Sequence, residues 1–243
     1  DLYQGMEDDD CNFWVKDSSQ LDIKRINICQ KEFGQPLIIL GDSHALNIYN
    51  IFSKSKKYKF LIGISQGGCR AHDSLKHCGY DDLENVIESN KLFRPNIIYH
   101  QSGSYFIKGS RGQYEPSLYD KNISFDELNV RKVKDYLKSL NDLGVKVTWL
   151  GHFAEYRIDP ILNIKEIKSI PNQNLRIFEN IDLQVKQTLN GISFLDYLSF
   201  NDFYKIDQKV LFNDCLIWRD PDHFSSCGED IIASKADFSL FNQ

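Results

Sequence analysis

The feature that most constrains the fold is a short apolar run, Pro36–Leu40, that stops at Gly41-Asp42-Ser43. Four consecutive large aliphatic residues, two of them β-branched, predict a strand that is buried on both faces. Apolar residues at helical spacing in 45–54 predict a helix that begins just after the glycine. Open α/β sheets bind ligands at such strand-to-helix turns, so the Ser43 hydroxyl is a candidate functional group. On this stretch alone, a helix-capping role for Asp42 or Ser43 is equally compatible with the pattern.

A second motif lies near the other end of the chain, where Asp220-Pro221-Asp222-His223 precedes an amphipathic stretch, 229–241. An aspartate and a histidine three residues apart on one turn can share a site, with the carboxylate orienting the imidazole. A serine, a histidine base and an orienting acid are the parts of an acyl-transfer triad. We therefore predict Ser43 as nucleophile, His223 as base and Asp220 as orienting acid. Asp222, beside the histidine, is the alternative acid.

These two motifs resemble those of the SGNH (GDSL-type) hydrolase superfamily. The longer forms, Gly-Asp-Ser-His-Ala at 41–45 and Asp-x-x-His-Phe-Ser-x-x-Gly at 220–228, are similar to one branch of it. That branch is the SGNH domain at the C-terminal end of the acyltransferase-3 family, the membrane O-acetyltransferases of bacterial cell-surface polysaccharides. The resemblance implies a flavodoxin-like three-layer α/β/α sandwich with a parallel five-stranded sheet. Strands that alternate with helices along the chain predict the same architecture.

The chain has 243 residues, which is one domain of ordinary size or one domain with an extension. Residues 1–10 are acidic and aperiodic, which is typical of a linker. We predict that 1–35 is an N-terminal extension tied to the domain, and that 36–243 is the SGNH domain.

The resemblance also implies an oxyanion hole. Its expected donors are the backbone N–H of Ser43 and that of a glycine after the second strand, either Gly67 or, preferably, Gly68. The superfamily adds an asparagine after the third strand, but residues 101–105 (QSGSY) contain none. The possible replacements are Gln101, Ser102, Ser104 or a backbone N–H. We predict Ser104 as the third donor.

Three further polar residues lie near the predicted site. Asp42 is interpreted as structuring the turn, and His44 as packing or hydrogen bonding within it. His152 follows the predicted fourth strand at the same edge of the sheet and is a second candidate base. It lacks a neighbouring acid at suitable spacing, so we favour His223.

Six cysteines fall as three near pairs along the chain, and none forms C-x-x-C, which argues against zinc or thioredoxin-like chemistry. An even count with local spacing predicts disulfides and an oxidising compartment. Of fifteen formal connectivities, we favour the local one: Cys11–Cys29, Cys69–Cys78 and Cys215–Cys227. Six buried thiols in a cytosolic protein are the alternative.

The net charge of −5 argues against a nucleic-acid partner. No stretch approaches the ~20 apolar residues that span a bilayer, and the chain has neither a signal peptide nor an initial Met, so we expect a piece of a longer or processed protein. The resemblance implies a periplasmic or other extracytoplasmic domain, tethered to the inner membrane in the full-length protein. A membrane acyltransferase domain of the same chain would supply the acetyl group, and no metal or soluble cofactor is implied.

Three functional classes follow from these patterns. The favoured one is an O-acetyltransferase that passes an acetyl group through Ser43 to a hydroxyl of a bacterial surface polysaccharide, such as lipopolysaccharide O-antigen. The second is a secreted carbohydrate esterase, deacetylase or lipase, in which water is the acceptor. The third is a glycan-binding module with a degenerate site, suggested by the missing asparagine. The triad by itself does not separate the first two classes.

Overall fold

The computed structural model describes residues 11–71, 78, 80–109, 124–155, 172–205, 211–220 and 222–241. Within these residues, six parallel strands form one sheet in the order β1-β3-β2-β4-β5-β6. The strands are β1 (Asn12–Val15), β2 (Leu37–Gly41), β3 (Leu61–Ser65), β4 (Asn96–His100), β5 (Lys146–Leu150) and β6 (Asp196–Leu198). A separate antiparallel hairpin joins β7 (Leu211–Phe212) to β8 (Cys215–Leu216).

Helices cover both faces of the sheet, which confirms the predicted three-layer α/β/α sandwich. The helices are α1 (Ile23–Phe33), α2 (Ser43–Lys54), α3 (Tyr80–Ser89), α4 (Glu127–Asp142), α5 (Asn172–Thr188), α6 (Phe200–Phe203) and α7 (Ser226–Lys235). Helices α2, α6 and α7 share one hydrophobic core with the sheet, and α1, α3, α4 and α5 share the other. No helix in the described part of the chain is long and apolar enough to cross a bilayer.

The central strand β2 explains why the first motif is so apolar. All five of its residues are buried, because β3 and β4 flank it on either side and helices cover both faces. Gly41 at its end pairs with Ser65 of β3 and with His100 of β4. The carboxyl ends of the three strands therefore meet at one edge, and the turns that follow them share one site.

The prediction of five strands is wrong, because the N-terminal extension contributes a sixth. Strand β1 lies parallel to β3 at the edge of the sheet, and the Leu61 N–H donates to the backbone oxygen of Cys11. Of the four residues of β1, only Phe13 is buried, so the segment lacks the apolar run that marked β2. Helix α1 then buries Ile26 and Cys29 in the core. Residues 11–33 are thus part of the packed domain, although the sequence set 1–35 apart as an extension.

All three predicted disulfides are present: Cys11–Cys29, Cys69–Cys78 and Cys215–Cys227. The first ties the segment before β1 to α1. The third joins β8 to α7 and closes the intervening chain, 216–226, into a loop. That loop carries the second sequence motif, so the covalent bond restricts the residues predicted to be the acid and the base.

Candidate active site

Ser43 is the first residue of α2, and Asp42 alone separates it from Gly41, the glycine that ends β2. The preceding Asp42 is buried and caps the helix, because one carboxylate oxygen accepts from the His44 N–H at 2.9 Å. Its other oxygen accepts from the Ser102 N–H at 3.0 Å, in the segment after β4. Burial raises the pKa of Asp42, and the two backbone N–H donors oppose that rise. Asp42 therefore structures the turn that presents Ser43.

Two backbone N–H groups follow the neighbouring strands β2 and β3, whose carboxyl ends meet at Gly41 and Ser65. The N–H of Ser43 belongs to the first turn of α2, where N–H groups have no intrahelical acceptor and the helix dipole favours negative charge. Gly68 follows β3 by three residues, in a turn with φ of +78° that glycine adopts readily. These are the two backbone donors that the sequence predicts for an oxyanion.

The second motif forms a turn organised by Asp220. One of its carboxylate oxygens accepts from the His223 N–H at 2.9 Å and contacts the imidazole Nδ1 of the same residue at 2.8 Å. Its other oxygen accepts from the Arg219 Nε at 2.9 Å. The aspartate therefore holds both the backbone and the ring of His223 in one orientation, as the spacing of the motif predicts.

Asp222 contacts the same imidazole. Its carboxylate lies 3.1 Å from Nδ1 of His223, and its second oxygen lies 3.7 Å from Nε2 of His44. The His44 ring stacks on Phe153 with centroids 4.6 Å apart, and its centroid lies 5.1 Å from that of His223. The imidazole of His223 is therefore next to the residue that follows Ser43.

The electrostatics of this group favour a charged imidazole. Burial lowers the pKa of His223, but the hydrogen bonds from Asp220 and Asp222 outweigh it and raise that pKa to about 9. Burial raises the pKa of each aspartate, and the contacts with His223 reverse this, so both carboxyls titrate below their usual range. Nε2 of His223 is buried and has no hydrogen-bond partner among the described residues. This is the nitrogen that a base uses toward its serine.

Sequence reasoning missed the clamp that holds this loop against α2. Asn47 lies four residues after Ser43, on the same face of the helix. Its amide oxygen accepts from the Phe224 N–H at 3.3 Å, and its amide nitrogen donates to the Phe224 oxygen at 3.4 Å. The same nitrogen donates at 2.6 Å to the buried carboxylate of Glu229, which also contacts Lys54 Nζ at 3.1 Å. Two asparagines, Asn47 and Asn50, within the otherwise apolar run 45–52 are the signal that could have shown this contact.

We expect Asn47→Leu to separate the base from the nucleophile, because the loop then loses both hydrogen bonds next to His223. The expected result is a fall in kcat of about 10- to 100-fold and a loss of about 1–3 kcal/mol of unfolding free energy. Asn50→Leu is the matched control, since Asn50 also donates to Glu229, at 2.9 Å. Urea unfolding and steady-state kinetics of both variants check this. An equal fall in kcat for the two would contradict the clamp.

The C-terminal part of the motif, Phe-Ser-x-x-Gly, has a structural explanation. Phe224 is buried, and its ring centroid lies 4.3 Å from that of Phe153. Ser225 caps α7 by accepting from the Gly228 N–H at 3.0 Å. A Cβ on Gly228 would lie 2.2 Å from the backbone oxygen of Ile217, so only glycine lets the helix approach so closely.

The prediction of Ser104 as third oxyanion donor disagrees with its surroundings. Ser104 is fully buried, its N–H donates to the Glu155 carboxylate at 3.0 Å, and its hydroxyl is 2.8 Å from that of Ser102. The Ser104 N–H and hydroxyl are therefore already engaged within the protein, so the proposed third donor would have to exchange one of these hydrogen bonds for an oxyanion. Gln101 differs, because its side-chain nitrogen is buried and has no hydrogen-bond partner in the described part of the chain, while its oxygen accepts from the Tyr99 hydroxyl.

The other candidate base, His152, does not join the group around His223. It is buried, and its Nε2 lies 3.0 Å from the Phe178 oxygen on α5. Burial lowers its pKa, so the ring is neutral. A Cβ on Gly103 would lie 2.4 Å from this ring, which indicates that His152 packs as a core residue.

Three side chains of the site could also be considered as metal ligands. His44, Asp222 and His223 each offer one ligand atom, and these atoms lie within 4.8 Å of one another. However, Nδ1 of His223 is already engaged by two carboxylates. The arrangement is explained by hydrogen bonding and ion pairing, and we assign no metal to it.

Comparisons with known proteins identify the family to which this chain belongs. Among curated proteins, none matches the sequence significantly. The solved structures that are similar to the chain include a candidate acylhydrolase from Bacteroides fragilis NCTC 9343, with 11% identity over 90% of this chain and 95% of that one and a TM-score of 0.47. They also include an acetyl xylan esterase, with 17% identity over 82% of this chain and 96% of that one and a TM-score of 0.43. A GDSL-like lipase from Bacteroides thetaiotaomicron VPI-5482 has 10% identity over 84% of this chain and 86% of that one and a TM-score of 0.46.

The decisive comparison is with a protein-family description. The family described as "SGNH domain (fused to AT3 domains)" matches residues 9–235. This range includes β1 as well as both sequence motifs, so the match extends over nearly all of the packed domain. The chain therefore belongs to the SGNH domains of the type that is fused to AT3 domains.

Proposed function

We propose that this chain is the acetyl-transferring domain of a bacterial O-acetyltransferase, with Ser43 as nucleophile, His223 as base and Asp220 as orienting acid. The observation that carries the proposal is the Asp220–His223 pair, held by Asn47 against the helix that begins at Ser43. The family match supports the acyl-transfer class and a membrane domain of the AT3 type in the same full-length chain.

The proposed reaction has two balanced steps. His223 Nε2 takes the proton of the Ser43 hydroxyl while the oxygen attacks the acetyl carbonyl. The N–H groups of Ser43 and Gly68 stabilise the oxyanion, and the leaving group departs with the proton from His223. In the second step the hydroxyl of an acceptor attacks acetyl-Ser43, again with His223 as base, and Ser43 recovers its proton.

The acceptor and the location are part of the same proposal. We propose a hydroxyl of a cell-surface polysaccharide as the acceptor, with lipopolysaccharide O-antigen as an example, and no soluble cofactor. The membrane domain would supply the acetyl group. Three disulfides support an oxidising compartment such as the periplasm.

The test offers p-nitrophenyl acetate to the purified chain with and without O-antigen polysaccharide, and follows nitrophenol, free acetate and glycan-bound acetyl. The proposal expects nitrophenol release that depends on Ser43, and acetyl esters on the glycan by mass spectrometry. Acetate in solution alone, even with the polysaccharide, would instead indicate an esterase. Glycan binding without any acetyl transfer or hydrolysis would indicate a binding module.

The pH dependence of this reaction follows from the charged state of His223. A base must be neutral to accept the serine proton, and the two aspartates hold the pKa of this imidazole at about 9. We therefore expect kcat/KM to rise with pH up to an apparent pKa near 9, above the ordinary histidine value of ~6.5. Initial rates between pH 6 and 10, corrected for spontaneous hydrolysis, measure it. A midpoint at or below 6.5 would contradict this prediction.

A further inference from the structure

The imidazole of His223 carries two carboxylates on one nitrogen. Asp220 lies 2.8 Å and Asp222 lies 3.1 Å from Nδ1, and both distances are within hydrogen-bond range. A triad needs only one such acid. The second carboxylate therefore requires its own explanation.

The two carboxylates differ in their other partners. Asp220 is held by the Arg219 guanidinium, whose Nε and terminal nitrogen both contact its second oxygen. The negative charge of Asp220 is therefore stabilised by the Arg219 cation as well as by the imidazole. Asp222 turns its second oxygen toward His44 instead, at 3.7 Å.

His44 is built into the core beside the nucleophile. Its side chain is 1% exposed, its ring stacks on Phe153, and neither ring nitrogen has a hydrogen-bond partner among the described residues. A buried imidazole without a hydrogen-bond partner is costly. The Asp222 carboxylate, 3.7 Å from Nε2, lies beyond hydrogen-bond range but offers this ring an electrostatic contact. The neighbouring His100 is also buried. Burial, and to a smaller extent the nearby His44, lowers the pKa of His100, so this ring adds no charge.

We propose that Asp222 is a second positioning carboxylate for His223, and that His44 holds Asp222 in place from the first turn of α2. This inference rests on the proposed function, since it assumes that His223 is the base for Ser43. The residue after the nucleophile and the residue before the base then form a direct link between the two halves of the site. Neither residue touches the reacting atoms, and both act through the orientation and charge of His223.

No additional proton transfer is involved. When Nε2 of His223 accepts the proton of Ser43, Nδ1 keeps its own proton. The Nδ1–H group continues to donate a hydrogen bond that the two carboxylates share. Asp220 and Asp222 stay ionised, in agreement with the direction of their pKa shifts. The titratable and charged side chains that face the imidazole are two aspartates from its own loop, Arg219 beside one of them, and His44 from α2.

The experiment measures the rate at which a fluorophosphonate labels Ser43, between pH 6 and 10, in wild type, Asp222→Asn, His44→Phe and the double variant. Phenylalanine keeps the ring that stacks on Phe153 but cannot contact Asp222. NMR titration of the His223 imidazole gives its pKa independently of activity. Thermal unfolding of each variant reports any loss of stability.

We expect Asp222→Asn to lower the limiting rate at high pH about tenfold, because a hydrogen bond to a charged group is lost. It should also lower the apparent pKa of His223 by about 1. His44→Phe should change both quantities in the same direction by a smaller factor. The double variant should equal Asp222→Asn, since His44 acts only through Asp222.

Each other result overturns part of the argument. Effects that multiply in the double variant, or a pKa of His223 that does not move, would exclude the proposed link, and a uniform loss of rate at unchanged pKa would indicate a merely structural role. A wild-type protein whose Ser43 is not labelled at any pH would contradict the proposed function itself. The two failures are therefore distinguishable.

Discussion

Replacing Ser43 by alanine is expected to lower acetyl transfer and ester hydrolysis by at least about 10⁴-fold, because no other group can form the acetyl-enzyme. The hydroxyl is the only group removed, and alanine is the best helix former for the first turn of α2. Thermal unfolding should therefore stay within a few degrees of wild type. The loss should appear in kcat, and the mass of the acetylated enzyme should no longer be detected after a brief reaction.

Ser234→Ala is the matched control for this variant. Ser234 lies on the exposed side of α7, and its hydroxyl donates to the backbone oxygen of Ile231 at 2.7 Å. It should retain full activity and full labelling by a serine-directed phosphonate. Activity of Ser43→Ala above about a tenth of wild type would contradict its role as nucleophile.

The second large effect is expected on stability, at the glycine that ends β2. A Cβ built on Gly41 would lie 1.8 Å from the backbone oxygen of His100, in the middle of a sheet with strands on both sides. The strands must separate to admit it, so Gly41→Ala should lower the unfolding free energy by about 3–5 kcal/mol. Because the displaced strand also presents Ser43, the residual folded protein should be poorly active.

Gly67→Ala is the control for this experiment, since Gly67 lies after the neighbouring strand and a Cβ there meets no atom of the described residues within 4 Å. Its unfolding free energy should change by no more than about 0.5 kcal/mol. Urea unfolding followed by circular dichroism measures both variants. Similar midpoints for the two would contradict the close approach of β2 and β4.

The geometry of the site explains why its two motifs lie at opposite ends of the chain. Ser43 depends on the central strand, which requires a glycine at its end and a buried aspartate to cap the following helix. The proposed acid and base lie on a loop that a disulfide closes and that Asn47 attaches to the same helix. Each motif therefore folds through contacts between residues close in sequence. Contacts with helix α2 then bring the two motifs together.

The segment after β4, which lacks the asparagine expected from the family resemblance, is engaged in buried hydrogen bonds. The segment that would carry it is bound inward by the Glu155 carboxylate, which accepts from the Ser102 hydroxyl and the Ser104 N–H. The Ser102 N–H is in turn taken by Asp42. This segment therefore supports the turn that carries Ser43, and the proposed oxyanion donors that remain are the backbone N–H groups of Ser43 and Gly68.

What the sequence by itself determined were the features whose cause is local. Strand β2 and helix α2 follow from one apolar run and one helical period, and the Asp220–His223 pair follows from a three-residue spacing within one turn. The cysteine pairs were predictable for the same reason, because their partners lie at most 18 residues apart.

The tertiary structure alone decided the features that depend on distant partners. Strand β1 forms because it pairs with the edge of β3. The Ser104 N–H is engaged by the carboxylate of Glu155, which lies 51 residues away in the sequence. The contact of His44 with Asp222 joins two residues that no local pattern relates. Periodicity and spacing report only on neighbours along the chain, whereas these contacts depend on how the elements pack. Packing alone places His44 of α2 beside Asp222, the second carboxylate that contacts the proposed base His223.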